Sequence, residues 1–308
     1  MTSARDYVKE KMPLLGFGTY QVLIQPTNHR ISLESCTSSQ IRKESTLHDV
    51  VDAALSCGYR FFDTAQIYGN EAALGRIFKE LLPKYDLRRE DIFITSKVSP
   101  ANQGTDLARK SIEKSLEKLQ TDYIDLMLIH WPGTSKKAVD DKNNPLRRKQ
   151  TYEVLEEFHE SGEIRAIGVS NYEIRHLEEL LEHCKIRPAV NQVEFHPHFH
   201  QLDLLEFCRM NDIHFQAYSS FGGPDYRDKL FNDPEVQRLA EKYNIEVPQF
   251  LLAWAISQSI SVLPRSTNPE RVVSNFKALD VKISSDDVQK LLNNEKCHKA
   301  CWDPTVVV

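Results

Sequence analysis

The chain has 308 residues, 41% of them hydrophobic and 27% charged, which is an ordinary globular composition. Its formal net charge of −5 argues against a nucleic-acid or anionic-membrane partner, so an anionic ligand has to be met by a local basic cluster. Residues 1–16 carry scattered charges and no apolar run, unlike a signal peptide, and no stretch of about 18 apolar residues marks a transmembrane helix.

Short runs rich in β-branched and aromatic residues alternate with amphipathic helical patterns. The first run, 14–20, is followed by a long polar connection at 21–45. Leu47, Val50, Val51, Ala54 and Leu55 then obey the i, i+3, i+4, i+7, i+8 rule of a helix, and Gly58 ends it, because a left-handed cap costs least as glycine. A second run at 59–64 precedes a helix carrying Leu74, Ile77, Phe78, Leu81 and Leu82. A third run at 92–98 precedes one carrying Ala108, Ile112, Leu116 and Leu119. The fourth run, 123–130, is nearly all apolar, as a strand buried on both faces should be. A charged loop at 133–145 and a helix around Val154, Leu155 and Phe158 lead past Gly162 to the fifth run, 164–170. Ile174, Leu177, Leu180 and Leu181 mark the next helix, and 189–194 the sixth run. A helix around Leu204, Leu205 and Cys208 precedes the seventh run, 214–218. Val236, Leu239, Ala240 and Tyr243 mark one further helix and 250–256 another. The eighth run, 261–264, leads into a helix starting at Pro269.

Eight strand–helix units in series fit either a closed barrel or a doubly wound sheet. The count of eight favours a single-domain (β/α)8 TIM barrel. No GxGxxG opens a helix and no GxxxxGK[ST] occurs, which removes the main reason to choose the open sheet. The two irregular segments, 21–45 and 133–145, follow strand C-terminal ends, where barrels keep their active sites.

Asp63 closes the second run with Tyr68 just beyond it, Lys97 closes the third and His130 the fourth. In a barrel these ends meet at one rim. A carbonyl that accepts a hydride becomes an alkoxide and needs a proton. A tyrosine with pKa about 10 is a weak acid at neutral pH, and a neighbouring ammonium lowers that value by favouring the tyrosinate. A carboxylate beside the lysine keeps it charged and in place, and a histidine orients the carbonyl or helps the proton move. Singly, each residue reads as a solvated or capping group; together, at adjacent strand ends, they point to chemistry.

The ordered set Gly16-Phe-Gly-Thr-Tyr20, Asp63-Thr-Ala-x-x-Tyr68-Gly-Asn-Glu71, Lys97, Ile129-His130-Trp131-Pro132, Gly168-Val-Ser170-Asn171, Asn191-Gln192 and Leu263-Pro264-Arg265-Ser266 resembles the successive motifs of the aldo-keto reductases. With Arg271 and Asn275 the likeness covers nearly the whole chain. The resemblance implies a catalytic tetrad of Asp63, Tyr68, Lys97 and His130, with Tyr68 the general acid, and NADPH as cofactor. It places Ser170, Asn171 and Gln192 at the carboxamide, Tyr218 against the nicotinamide ring, and the loop beginning at Ser219 over the pyrophosphate. Arg265, Ser266, Arg271 and Asn275 fall at the adenosine 2′-phosphate and adenine, and Thr19 joins the cofactor residues. Arg265 stands where lysine is commoner, a change that keeps bidentate phosphate binding; Ser274 stands where Glu or Gln is common, which loosens the adenine contact. Tyr20 and Trp131 become pocket walls, while Trp302 is either a third wall or a sheltered tail side chain. The tail from Cys297 onward is expected to be short and to leave the pocket open.

The expected partner is a small carbonyl compound, with no nucleic acid, membrane or metal, and a monomer as the default state. Six cysteines without CxxC spacing read as free thiols in a reducing cytoplasm. His196-Pro-His198-Phe-His200 puts three imidazoles at alternate positions, a pattern that suits a metal, but no carboxylate or cysteine stands at ligand spacing beside it in sequence. Two rival readings stay open. One is an NADPH-binding regulatory subunit docking through 21–45. The other is a barrel isomerase or lyase using Lys97 as a Schiff base, against which the paired Asp63 argues, since a charged lysine is a poor nucleophile.

Overall fold

The β-branched and aromatic runs form eight parallel strands: β1 (Phe17–Gly18), β2 (Phe61–Asp63), β3 (Phe93–Val98), β4 (Ile124–Ile129), β5 (Ile164–Ser170), β6 (Val190–Glu194), β7 (His214–Tyr218) and β8 (Ser261–Val262). They pair in chain order, and Gly16 N donating to Val262 O (2.9 Å) and Val262 N to Leu14 O (2.8 Å) join β8 back to the start of β1. The computed structural model describes residues 3–20, 33–293 and 296–308, and over them the chain is a closed (β/α)8 barrel in a single domain.

The helices are α1 (Ala4–Lys11), α2 (Leu33–Cys57), α3 (Glu71–Lys84), α4 (Thr105–Leu119), α5 (Asn144–Ser161), α6 (Ile174–His183), α7 (Leu202–Met210), α8 (Gly223–Phe231), α9 (Pro234–Lys242), α10 (Val247–Ile256), α11 (Pro269–Phe276) and α12 (Ser285–Leu292). Their apolar faces bury against the outer faces of the strands in one continuous core. A second, luminal cluster of Phe61, Phe93, Leu126, Leu128, Ala166 and Val190 is capped by Ala4 and Val8 of α1. Tyr7 of α1 donates to Asp125 Oδ1 (2.6 Å), and Asp125 Oδ2 accepts from Arg89 (2.7 Å) and Ile94 N (2.9 Å). Apolar side chains and a satisfied carboxylate thus plug the end of the lumen opposite the strand C-terminal ends.

The connection expected at 21–45 needs correcting. Residues 33–45 are helical, being the first turns of α2, and 21–32 lie outside the described residues. The stretch has no apolar stripe to announce a helix. It continues one whose buried face of Leu47, Val50, Val51, Ala54 and Leu55 has already met the cost of nucleation. The segment at 133–143 is irregular as expected, and α5 begins at Asn144. The tail is not a loose end. Val307 is fully buried, and its carbonyl meets Arg175 and His176 of α6 while the Val308 carbonyl meets Arg148 of α5. Among the described residues no helix is long and apolar enough to cross a membrane.

Strand packing leaves no room at Gly168 in β5, where an added Cβ would lie 2.5 Å from the Val190 carbonyl oxygen of β6. Gly168→Ala should therefore cost about 1–3 kcal/mol, the range for overpacking, and lower the melting temperature followed by circular dichroism. An unchanged melting temperature would show that the β5–β6 pair can spread at no cost.

Candidate active site

Register builds the centre of the site. Asp63, the last residue of β2, lies opposite Thr95 of β3, and Lys97, two residues further on, shares the face of Thr95. Lys97 Nζ donates to Asp63 Oδ1 (2.6 Å) and to the Thr64 carbonyl (2.9 Å), and both side chains are buried. Gln192 of β6 donates across the mouth to Asp63 Oδ2 (2.8 Å), so both carboxylate oxygens have partners. Burial pushes the Lys97 ammonium below its ordinary value, with the Asp63 charge and hydrogen bond opposing it.

Tyr68 ends a 3-10 turn, Gln66–Tyr68, just beyond β2. Its hydroxyl lies 3.4 Å from Lys97 Nζ, and its ring packs against Tyr20 (5.0 Å between centroids) and edge-on to His130 (5.7 Å). The four residues expected to converge are thus together. The direction of the phenol's shift differs from the expectation. Burial, with the Asp63 charge next, raises Tyr68 well above its ordinary value, and Lys97 lies closer to Asp63 and Thr64 than to the phenol. Tyr68 is therefore a protonated phenol with a cation in reach. His130 is driven down to about 3, first by burial and then by the Lys97 charge, and its Nδ1 has no partner. It is a neutral imidazole.

A hydrogen-bonded collar joins the next strand ends. Asn171 Nδ2 donates to the His130 carbonyl (2.9 Å) and to Ser170 Oγ (3.0 Å), Ser170 Oγ donates to the Gln192 carbonyl (2.8 Å), and Tyr218 OH donates to Asn171 Oδ1 (2.6 Å). Gln192 Nε2 spends its two protons on Asp63 and on Gln216 Oε1 (2.6 Å), so what the Gln192 side chain still offers is its amide oxygen, Oε1. That acceptor suits the NH2 of a carboxamide. Ser220, buried in the loop after β7, has a hydroxyl with no partner, and Gly222 and Gly223 hold left-handed φ of 75° and 71° in the same loop. Arg265 and Arg271 are exposed beside the start of α11, whose amide at Arg271 is capped by Asn268. Ser266 exchanges hydrogen bonds with the Asn268 backbone (3.1 and 3.0 Å), and Asn275 is buried on the same helix. A free acceptor, an unpartnered hydroxyl, a partly buried phenol ring and two cations at a helix start together fit a phosphorylated dinucleotide. Thr19 is committed to the scaffold: its hydroxyl donates to the Asp63 carbonyl (2.9 Å) and accepts from Asn70 Nδ2 (3.0 Å).

Tyr20 (53% exposed) and Trp302 (74%) stand open at the rim, and Trp302 meets Trp131 edge-on at 6.1 Å, so the tail side chain is not sheltered. The His196–His200 segment serves the tail. Glu194 accepts from His196 Nε2 (3.2 Å), Ala300 N (2.6 Å) and Cys301 N (3.0 Å); Asp233 accepts from His198 Nε2 (3.0 Å) and Lys296. Carboxylates do stand beside the imidazoles, one of them from 35 positions away in sequence. Among the described residues no group of three or more His, Cys, Asp or Glu side chains is placed to hold a metal. Sequence reasoning missed Gln216, Asn70 and Glu194, whose partners are distant in the chain. For Asn70 the only local signal was its place in the motif after Tyr68.

The family profile described as "Aldo/keto reductase family" matches residues 15–293. A glyoxal reductase of Bacillus subtilis (strain 168) is 37% identical over 294 residues, covering 94% of this chain and 93% of its own. A 9,11-endoperoxide prostaglandin H2 reductase of Trypanosoma cruzi is 40% identical over 245 residues, covering 79% and 81%. Among solved structures, an aldo-keto reductase from a Medee basin deep-sea metagenome library superposes with a TM-score of 0.79 at 33% identity, covering 95% of this chain and 94% of its own. The aldose reductase of Schistosoma japonicum gives 0.78 at 28%, covering 93% and 90%.

The neutral state of His130 has a measurable signature. Its imidazole should show no titration between about pH 5 and 8 in long-range 1H–15N spectra, with the resonance assigned by His130→Gln. Because the folded value lies below the ordinary 6.5, the unfolded chain takes this proton first, so the stability held by neutral His130 is whole above about pH 6.5 and is lost as pH falls toward about 3. A midpoint near 6.5 in the folded protein would contradict the assigned burial.

Proposed function

The chain belongs to the aldo/keto reductase family, and from that premise we propose that it reduces aldehydes or ketones to alcohols with NADPH, using Tyr68 as the proton donor. The carrying observation is the convergence of a protonated phenol, a buried ammonium held by a carboxylate and a neutral imidazole at one barrel mouth. Bound NADPH supplies the hydride. Tyr68 OH gives its proton to the developing alkoxide oxygen. The charge left on the phenol is met by Lys97 Nζ at 3.4 Å, and Asp63 keeps that ammonium charged and aimed. His130, neutral, offers an N–H to orient the carbonyl. A hydrogen bond to an imidazolium would add positive charge beside Lys97, which burial of both groups disfavours.

Ser170, Asn171 and Gln192 would hold the carboxamide, and Tyr218, its hydroxyl fixed by Asn171, would serve the nicotinamide. The loop from Ser219 covers the pyrophosphate, and Arg265, Ser266, Arg271 and Asn275 take the 2′-phosphate and adenine, with Thr19 bracing the floor beneath. Tyr20, Trp131 and Trp302 line the substrate side. All these groups come from one chain, so a monomer suffices, and the five described cysteines are free, as in a reducing cytoplasm. A regulatory subunit would have no use for a buried lysine–carboxylate pair set against a phenol, and a Schiff-base role is opposed by the same pair. A panel of carbonyl compounds, beginning with small aldehydes such as the relative's glyoxal, with NADPH consumption followed by absorbance, tests the reading. No turnover of any compound would overturn it.

Tyr68→Phe keeps the ring and removes the proton. It should lower kcat by the ~10²–10⁴ typical of acid–base catalysis while NADPH affinity stays nearly unchanged. Retention of more than about a tenth of wild-type kcat would remove Tyr68 from the role.

The cation pair at α11 generates a second expectation, a preference for NADPH over NADH. Each charge-assisted contact to the 2′-phosphate is worth about 1.5–3 kcal/mol. Titration of both cofactors by tryptophan fluorescence quenching should show it, and equal dissociation constants would refute it.

A further inference from the structure

The turn that carries Tyr68 has little to hold itself in place. It is three residues long, its internal backbone bonds are Tyr68 N to Ala65 O (3.0 Å) and Gly69 N to Gln66 O (3.3 Å), and Ile67 at its middle is 52% exposed. Two amide side chains bracket it. After Tyr68, buried Asn70 accepts from Thr64 Oγ1 (2.6 Å) and donates to the Thr19 carbonyl and hydroxyl (3.0 Å each), tying that end to β1 and β2. Before Tyr68, Gln66 reaches the other way. Its Nε2 donates to Ser111 O (3.1 Å), Ser111 Oγ (3.1 Å) and Ser115 Oγ (3.2 Å) of α4; its Oε1 accepts from Ser99 N (2.9 Å) and Asn102 Nδ2 (2.8 Å) beyond β3.

These five contacts allow one orientation only. The hydroxyl protons of Ser111 and Ser115 are already given to the carbonyls of Ala108 and Ser111, so α4 presents acceptors, while Ser99 N and Asn102 Nδ2 present donors. An amide turned end for end would face acceptor with acceptor. The motif resemblance leaves position 66 open, and no role was expected for it.

We infer that Gln66 is a positioning residue for Tyr68: by tying the Tyr68 turn to the strand that carries Lys97 and to α4, it sets the distance between the phenol and the ammonium. That distance, 3.4 Å, is at the outer limit of a hydrogen bond, so there is no slack to lose. With Gln66 released, the side-chain tether to α4 and to the segment beyond β3 is gone, and the turn keeps only Asn70 and the backbone bonds of Thr64, so the stretch between them that carries Tyr68 can shift. Tyr68 then keeps its proton to give but loses the cation that accepts the resulting charge. Among the described residues the groups facing Tyr68 are Asp63, Lys97, His130, Tyr20, Tyr218 and Cys301, of which Lys97 is the cation.

The inference rests on the carbonyl-reductase reading, and the test separates the two. Gln66→Met keeps length and apolar packing and removes every hydrogen bond. Its kcat for carbonyl reduction should fall at least about tenfold, short of or near the ~10²-fold that a displacement of about 1 Å costs, with NADPH dissociation constant and KM within about twofold of wild type. In the reverse direction, where Tyr68 is the base, the rising limb of alcohol oxidation should move to higher pH, because a phenolate farther from Lys97 is harder to form. A merely structural tether would lower the melting temperature and leave kcat and that limb where they are, and this result overturns the inference. Should Gln66→Met fail to fold, Asn102→Ala and Ser115→Ala each cut one leg of the tether. A several-fold loss of kcat in each, with KM unchanged, supports the inference, and wild-type kcat in both overturns it. Loss of activity in Tyr68→Phe with none in Gln66→Met sinks the positioning role alone. A wild-type chain that reduces no carbonyl compound sinks the reading and the inference with it.

Discussion

A lysine with no exposed surface, bonded at 2.6 Å to a buried aspartate, is the constraint around which the barrel mouth is arranged. Burying such a pair costs several kcal/mol per ion unless the remaining protons and lone pairs are satisfied. Here Lys97 has the Thr64 carbonyl as a second acceptor, and Asp63 has Gln192 as a second donor. Gln192 in turn needs Gln216, and Gln216 donates to Ser261 Oγ (3.0 Å), so the requirement to satisfy one ion pair runs as a polar column from the mouth down through β6, β7 and β8. The luminal apolar cluster below and the plug of α1 keep that column dry.

The same constraint explains why a phenol is useful here. A tyrosine packed between aromatic rings and beside a carboxylate holds its proton firmly, which would make it a poor donor if nothing else were near. In the reduction proposed above, a cation already engaged by its carboxylate would meet the phenolate only as the proton leaves. The positive charge is present before the reaction and needs no reorganisation during it. Reading the residue types alone gives the reverse sign for the resting phenol, because residue types carry no information about how deeply the ring is buried or how close the Asp63 charge lies.

Much of the architecture is legible without coordinates. The runs at 164–170 and 214–218 coincide with β5 and β7, because each is bounded by a helix stop or a polar turn. The convergence of Asp63, Tyr68, Lys97 and His130 is legible because strand ends in a barrel share one rim. What escaped has physical reasons. The first turns of α2 have no stripe of their own, α1 shows only Ala4 and Val8 as buried residues among charges, and α8 buries only Leu230. The amides at 66, 70 and 216 escaped because a polar side chain in a barrel mouth is defined largely by partners on other elements, as Gln66 is by Ser99 and Ser111, and periodicity reports only apolar faces.

The tail shows what such long-range satisfaction means for exchange between relatives. Its first half is held by Glu194 and Asp233 on one side of the rim, its last residues by Arg148, Arg175 and His176 on the other, and Trp302 spans the interval beside Trp131. A segment fastened at both ends to side chains of other elements is not a module. Grafting a different tail onto this barrel would take one or more partners from each of two carboxylates, two guanidiniums and an imidazole. The unit that must be exchanged is thus the tail together with its five distant receptors.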